Sequence, residues 1–522
     1  MFDARKRLLL QRSAALGALF AAAPFAELRA QSDGALKIMR APKIALVLGN
    51  SRYRDAPLRN PANDATAIAE SLRQSGFEVN LQLDAGRAAM QQALEQHLQR
   101  LRARQAVGLF YYAGHGIQLA WRNYMLPIDA DIDVASDVQK QAVDINLVME
   151  GIGRAGNPFN VVILDCCRDN PFGGLKGVDQ KGLSQMDAPP GTLLAYATSP
   201  GNVASDGDGS NGLYTEQLLK EMRVPEAKIE DVFKRVRLNV RLKSRGQQIP
   251  WESTSLEEDF YFLPPAKLVK LSEAEAERQF QAELALWNRI KDGRDPVPLE
   301  DYLRNYPGGR YAELAQLRLD RLLAAAGETR IHMAAQNDNP YTRGTAELST
   351  AYRVGDRYTY RNLDLFSRVE QSRGTQTVAE VTDTEIIYSN GMVTDLLGNR
   401  LKAHDGRIFT ANQYFGQDYA VGKSWITRFN LTLPNGATGR NELTMRVVAK
   451  EKVTVPAGTF DAFRIDVQGW AAGHRPQSIV LQETFWMAPD RVRRPVAWDA
   501  KRLANGRIEM ASRSELVDWR EG

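Results

Sequence analysis

The sequence predicts an α/β fold with a mostly parallel sheet sandwiched by helices, followed by a helical segment and a C-terminal antiparallel β domain. Between residues 43 and 262, apolar runs of strand length alternate with stretches of helical periodicity. From about residue 350 to 520, short alternating strands are separated by turn signals such as Pro434-Asn435-Gly436. We therefore divide the chain into an α/β domain (41–264), a helical segment (265–330) and a β-rich domain (345–522).

The first 30 residues resemble a secretory signal peptide. Residues 5–7 are basic, residues 16–23 are apolar, and small residues follow up to Ala30. An uncleaved membrane anchor is the alternative, but Arg12 and Pro24 leave too short an apolar run to span a bilayer. The leader predicts an exported protein, periplasmic or secreted, that meets a membrane only during export.

Composition and charge exclude some classes of function. The chain has 522 residues, a net charge of +4, five histidines and two cysteines. This charge is close to balance and no dense basic stripe follows the leader, so we expect no nucleic-acid partner. The two cysteines, Cys166 and Cys167, are adjacent. A vicinal disulfide is strained and rare, so reactivity is the more plausible use of a thiol here.

The α/β domain begins with the buried strand "KIALVLGN". A helix follows, with apolar residues at helical spacing from Ala65 to Leu72, and ends at Gly76. "EVNLQL" is a second strand, and a helix is predicted from about Arg87 to Arg102. Three further strand candidates are "AVGLFYYAG", "NVVILDCC" and "GTLLAYATS". Strands that alternate with helices predict a parallel sheet covered on both faces.

His115 and Cys167 each follow a predicted strand, and those two strands are candidates to be neighbours. Ligands in open α/β sheets bind beyond the carboxyl ends of the strands. A thiol attacks a carbonyl as thiolate, and a nearby imidazole can take its proton. The amides of Gly116 and Cys167 are candidates to bind the oxyanion that forms in such an attack. This pattern is typical of acyl transfer, although a lone buried cysteine is more often part of a core.

The helical and β-rich parts carry weaker functional signals. Ser272 and Glu275 form a capping box, and Phe280, Leu284 and Trp287 share one helix face. The segment resembles a single tetratricopeptide-like hairpin, which cannot bury its own face and is expected to pack on a neighbour. The β-rich domain is predicted to be an antiparallel barrel or a curved sheet. Either part leaves room for a protein partner.

At the histidine and cysteine the sequence resembles the caspase-family cysteine peptidases, in particular bacterial metacaspase-like members with a p20-type domain. "YYAGHG" matches the histidine motif and "ILDCCRDNPF" the cysteine motif. The histidine lies about 50 residues before the cysteine, as in caspases. The resemblance covers roughly residues 43–262. It implies a caspase-like fold, Cys167 as nucleophile, His115 as base, and Cys166 as a variable core residue.

The resemblance also implies a substrate. Metacaspase-like enzymes cleave protein or peptide bonds after Arg or Lys, and a basic side chain needs carboxylates at the base of its pocket. Asp64 and Asp165 match the two pocket aspartates, although each has a purely structural alternative. Pro61 and Ala113 depart from the family pattern close to these positions.

No cofactor is required by this chemistry, but many metacaspases bind calcium. Asp129, Asp131 and Asp133 lie in a matching region, where a solvated acidic loop is the alternative. The polar segment after Cys167 matches the loop in which relatives cut themselves, with Lys176 and Lys181 as basic candidates, or is simply a flexible loop. The alternative to a peptidase is a catalytically idle scaffold that binds partners through the C-terminal domains.

Overall fold

The computed structural model describes residues 34–167, 182–200, 202, 209–256, 258–266, 272–329, 331, 339–473 and 478–522, except for the side chain of Cys167. The predicted signal peptide, Lys176 and Lys181 lie outside these residues, as do His332 and His474. No helix in the described ranges is long and apolar enough to cross a membrane.

The first domain is built on a mixed sheet whose central strands are parallel. Its strands are β1 (Lys43–Gly49), β2 (Glu78–Leu83), β3 (Val107–Leu119), β4 (Arg122–Met125), β5 (Val143–Asp144), β6 (Phe159–Cys167), β7 (Thr192–Tyr196) and β8 (Trp251–Thr254). Over the described residues the main order is β2-β1-β3-β6-β7-β8, and β8 is antiparallel to β7. β4 pairs with the far end of β3 and with β5, which extends the sheet away from its core.

Helices cover both faces of this sheet, as predicted. They are α1 (Pro61–Gln74), α2 (Arg87–Arg104), α3 (Ala135–Gln141), α4 (Ile145–Ala155), α5 (Leu213–Met222) and α6 (Ile229–Lys243). Alternate strand residues point to opposite faces. Val161 and Ile163 therefore pack with α1, α5 and α6, whereas Val162 and Leu164 pack with α2 and α4.

The helical segment contains α7 (Glu273–Ile290), α8 (Val297–Asn305) and α9 (Ala312–Ala325). The predicted capping box is present, since Ser272 Oγ accepts from the Glu275 amide at 3.3 Å. Phe280 and Trp287 enter one continuous apolar core with the β domain and with Leu238 of α6. The segment therefore packs on its neighbours, as expected for an isolated hairpin, while its likeness to a tetratricopeptide repeat stays a prediction.

The β domain is a closed antiparallel barrel, the first of the two architectures expected from the sequence. Its strands are β10 (Arg357–Asp364), β11 (Glu370–Val381), β12 (Glu385–Tyr388), β13 (Val393–Asp395), β14 (Arg400–Lys402), β15 (Ile408–Phe409), β17 (Ser424–Thr432), β18 (Thr438–Val455), β19 (Gly458–Ala472), β20 (Ile479–Met487), β21 (Ala497–Ala504) and β22 (Arg507–Arg520). Pairing of β10 with β22 closes it. A small separate sheet joins β9 (Thr345–Glu347) to β16 (Asp418–Ala420).

Ion pairs and hydrogen bonds join the C-terminal parts to the first domain. Arg241 on α6, only 3 % exposed, is ion-paired with Asp320 on α9 and with Glu328, whose Oε2 lies 2.7 Å away. The segment before β9 lies against the residues that precede β7. Thr342 Oγ1 donates to Asp187 Oδ1 at 2.6 Å, and Asn339 Nδ2 donates to the Gln185 carbonyl at 2.9 Å.

Candidate active site

The two strands that precede the predicted dyad are direct neighbours. β3 and β6 pair in parallel, with Ala113 opposite Asp165, Gly114 opposite Cys166 and His115 opposite Cys167. Adjacent strands lie about 4.8 Å apart. The backbones of His115 and Cys167 are therefore side by side at the carboxyl edge of the sheet. The side chain of Cys167 lies outside the described residues, so this statement concerns its backbone alone.

Two tyrosine hydroxyls hold the backbone of His115. The Tyr53 hydroxyl accepts from the His115 amide at 3.0 Å, and the Tyr112 hydroxyl donates to the His115 carbonyl at 2.7 Å. Gly114 makes this possible, because a Cβ at that position would lie 2.6 Å from the Tyr53 hydroxyl and 2.7 Å from that of Tyr112. The glycine before the histidine is thus explained by the approach of two side chains to the backbone.

The imidazole of His115 is oriented by a backbone carbonyl. The side chain is 4 % exposed, its Nε2 lies 2.7 Å from the Ala56 carbonyl oxygen, and its ring centroid is 4.5 Å from that of Tyr53. A carbonyl oxygen only accepts, so Nε2 must carry the hydrogen. The lone pair of the neutral ring is then on Nδ1, which is the atom able to take a proton.

Gly116, the predicted oxyanion donor, is buried against Cys166. A Cβ at Gly116 would lie 3.0 Å from Cys166 Cβ and 3.2 Å from Leu183 Cδ2. Cys166 is fully buried in the core on the α2 and α4 face, which agrees with its prediction as a core residue. The second glycine of the motif therefore makes room for this packing, and the oxyanion role of its amide stays a prediction.

The two predicted pocket aspartates converge on the first turn of α5. Asp64 is 3 % exposed, and its Oδ1 accepts from the Gly212 amide at 3.0 Å. Asp165 Oδ2 accepts from Thr215 Oγ1 at 2.6 Å. The Tyr111 hydroxyl lies 3.2 Å from Asp165 Oδ2, and burial, followed by the charges of Asp165 and Asp64, raises the pKa of Tyr111 well above its usual value. Each aspartate thus has a structural role beside any role in substrate binding.

The weak calcium candidates do not form one cluster in the part of the chain that the structure describes. Asp129 Oδ1 accepts from the Arg87 amide at 2.9 Å, at the start of α2, and Asp131 Oδ1 lies 2.6 Å from the Arg54 guanidinium. Asp133 is exposed. Across the described residues no three acidic, histidine or cysteine side chains are grouped as a metal site. Calcium dependence stays a prediction that the arrangement of these acids does little to support.

Two further histidines, His97 and His404, lie in the described ranges. His97 is 5 % exposed on α2, where burial lowers its pKa to about 4, and His404 is exposed.

The sequence did not reveal the supports of His115. Tyr53 and Ala56 lie in the irregular loop after β1, where no periodicity marks them, and only the "YY" before the motif pointed toward Tyr112.

Two surface cavities lie away from these groups. One, of about 950 Å³, is lined by α2 and α4, and the other, of about 280 Å³, lies between the helical segment and the barrel. Neither is lined by His115, Asp64 or Asp165. Strand register and side-chain contacts, and neither of these two cavities, therefore define the candidate active site.

Comparison with known proteins agrees with this geometry. The family model described as "Caspase domain" matches residues 42–261. The chain is 29 % identical over 192 residues to the human (Homo sapiens) "Mucosa-associated lymphoid tissue lymphoma translocation protein 1" and 28 % identical to its Mus musculus homolog. Each match covers 36 % of this chain but 22 % of the relative, about a fifth of its length. The match to the caspase domain family therefore covers residues 42–261 and ends before the helical segment and the barrel.

Proposed function

We propose that the chain is an exported caspase-like cysteine endopeptidase that cleaves protein or peptide bonds after Arg or Lys. The observation that carries this proposal is the register of β3 and β6, which sets His115 opposite Cys167 at the carboxyl edge of the sheet. The caspase family match over residues 42–261 supports a cysteine peptidase. Export rests on the leader sequence alone.

The chemistry follows from the tautomer of His115. Nδ1 takes the thiol proton of Cys167, and the sulfur forms a bond to the carbonyl carbon of the substrate. The oxyanion that results is bound by the amides of Gly116 and Cys167. As the C–N bond breaks, the amine leaves with the proton held on Nδ1. Water, deprotonated by the same nitrogen, then hydrolyses the thioester and restores the thiol.

The fixed ring of His115 suits this role. Its Nε2 hydrogen bond to Ala56 keeps the same tautomer in the resting enzyme and stabilises the imidazolium that forms during attack. Two tyrosine hydroxyls hold its backbone, so the ring cannot drift when the proton moves. This arrangement supports a working base more than an idle scaffold, in which nothing would require a positioned imidazole.

Specificity for Arg or Lys rests on Asp64 and Asp165. Asp165 lies two residues before Cys167 on β6, and both carboxylates face the start of α5, whose amide end favours negative charge. Two carboxylates at the start of α5 would pair with a basic substrate side chain. An acidic P1 side chain would be repelled there, which separates this site from one that cleaves after Asp.

The test is hydrolysis of fluorogenic peptides with Arg, Lys or Asp at P1 by the full chain, in calcium and in chelator. We expect cleavage after Arg and Lys that is lost in Cys167→Ala and in His115→Ala. Cys166→Ala is the matched control, because it removes a neighbouring buried thiol, and it should retain most activity. Absence of turnover by folded protein on every peptide would favour the scaffold, and cleavage after Asp would refute the pocket assignment. Activity lost in chelator and restored by calcium would show calcium dependence, and loss of that dependence in Asp131→Asn would assign it to the acidic loop.

A further inference from the structure

The interior of the barrel is divided into an apolar half and a polar half. Val467 and Phe485 are 1 % and 0 % exposed and define the inward face of β19 and β20. Strand pairing places Glu483 on the same face, opposite Val467 on β19 and Ala500 on β21. Trp498 and Arg502 lie two residues before and after Ala500 on β21, so they share this inward face. The inside of the barrel therefore passes from packed apolar side chains to charged ones.

Water reaches the polar half. Eight strands enclose just enough space for side chains to fill, and wider barrels hold ligands or channels. The barrel here has twelve strands over the described residues. Tyr414, Glu483 and Trp498 are only half-buried although they lie on or against the inward face, and Arg502 is exposed. The polar half is thus an open end of the barrel interior and not a sealed core.

Aromatic side chains and one carboxylate form a wall of this space. The Tyr414 hydroxyl donates to Glu483 Oε2 at 2.7 Å, and Trp498 Nε1 donates to the same oxygen at 3.2 Å. The rings of Tyr414 and Trp498 are 5.8 Å apart. Burial raises the pKa of Glu483, while these donors and the charges of Arg502 and Arg400 oppose that change. Both aromatic rings are therefore held in place by their polar atoms and by contact with the Phe485 ring.

Arg400 supplies a positive charge that no ion pair balances within the described ranges. Its guanidinium lies 5.9 Å from the centroid of the Phe409 ring. Burial lowers the pKa of Arg400, and the like charges of Arg494 and Arg407 lower it further. Arg407 is paired with Asp405, and Arg494 donates to the neutral Gly398 carbonyl, so neither neighbour brings an unengaged carboxylate to Arg400. The charge of Glu483 opposes the lowering of the Arg400 pKa, but burial and the like charges outweigh it. A bound anion paired with the guanidinium would offset the remaining cost of burying this charge.

We propose that the open end of the barrel binds a small organic anion, a carboxylate or sulfonate with an aromatic or apolar body. Arg400 pairs with the acid group, and Phe409, Tyr414 and Trp498 pack against the body. Glu483 lies nearby and disfavours ligands with several negative charges, such as polyphosphates. This site is separate from His115 and Cys167, and it stands whether or not the chain is a peptidase.

The test compares two fluorescent probes on the full chain. One is 8-anilinonaphthalene-1-sulfonate, and the other is N-phenyl-1-naphthylamine, which has the same rings without the sulfonate. A charge-assisted contact is worth about 1.5–3 kcal/mol. Arg400→Gln should therefore weaken binding of the sulfonate by about 10-fold or more and change that of the neutral amine by less than about twofold. Arg446→Gln is the matched control, because Arg446 is exposed between inward-facing Met445 and Val447 and should leave both affinities unchanged.

A second measurement needs no variant. In the unmodified chain, 1-naphthoate should displace the sulfonate probe at concentrations about tenfold lower than the neutral 1-naphthalenemethanol requires. Equal displacement by the two compounds, or sulfonate binding that does not saturate, would overturn the proposal. So would a folded Arg400→Gln variant that binds the sulfonate as the unmodified chain does, or an Arg446→Gln variant that loses it equally.

Discussion

Tyr53→Phe is the sharpest test of how His115 is held. The change removes one oxygen and keeps the ring that packs on the imidazole at 4.5 Å. The His115 amide, which donates to that oxygen at 3.0 Å, then has its acceptor removed in a buried location. The hydroxyl also donates to the Leu126 carbonyl at 3.1 Å, but that oxygen keeps Asn50 Nδ2 as a donor at 3.1 Å. The principal loss is therefore at the histidine backbone.

The size of the effect follows from the cost of an unsatisfied buried donor. That cost is about 1–3 kcal/mol in the free energy of unfolding. In a domain of this size, each kcal/mol lowers Tm by about 2–4 °C. If the same energy is lost from the transition state, because the imidazole leaves its position, kcat/KM falls by about 5- to 150-fold. The loss should be mainly in kcat, since the substrate pocket is untouched.

Tyr419→Phe in the barrel provides the matched control. Its hydroxyl is likewise buried and accepts a backbone amide, that of Gly416, at 3.2 Å. The two variants should lose similar stability in thermal unfolding followed by circular dichroism, but peptide hydrolysis should fall in Tyr53→Phe alone. If Tyr53→Phe retains the unmodified Tm and kcat, the claim that this hydroxyl positions His115 is refuted.

Three further changes test other parts of the molecule. Burial lowers the pKa of His97 to about 4, so below pH 6.5 the unfolded chain binds a proton that the folded chain does not. The free energy of unfolding should therefore fall by up to about 3 kcal/mol as the pH drops from 6.5 to 4. His97→Leu should remove that part of the loss in urea titrations at pH 7.5 and 4.5. Gly116→Ala forces a methyl group against Cys166 and should cost about 1–3 kcal/mol in the same assay, whereas an unchanged midpoint would contradict the packing. Arg241→Met leaves two buried carboxylates without their cation and should cost about 3–5 kcal/mol, and a neutral result would show that the ion pairs do not hold the domains together.

Much of the first domain was predictable because its signals are local. Apolar runs mark parallel strands, and helical periodicity marks the layers that cover them, so the pairing of β3 with β6 could be expected before it was seen. The supports of His115 carry no such signal. Tyr53 reaches the histidine from an irregular loop, and its contact depends on how that loop folds over the strand ends.

The acidic loop shows that closeness in sequence does not fix which partners the side chains take in the fold. Asp129 and Asp131 are close in sequence, as calcium ligands often are. In the fold one of them accepts the first amide of α2 and the other pairs with Arg54. The sequence did not decide between a closed barrel and a curved sheet, because closure depends on the pairing of β10 with β22, whose register no local pattern fixes.

The contacts that anchor the C-terminal parts decide how the first domain can be studied alone. A shortened chain that stops near residue 264 would expose Leu238 on α6 and would leave the Arg241 guanidinium exposed without its carboxylate partners. Asp187 would also lose its hydrogen bonds to Thr342 and Arg343, which lie in the segment that precedes β9. Poor solubility or low turnover of such a fragment would then result from the loss of these interdomain contacts, and would not show that the barrel regulates the first domain.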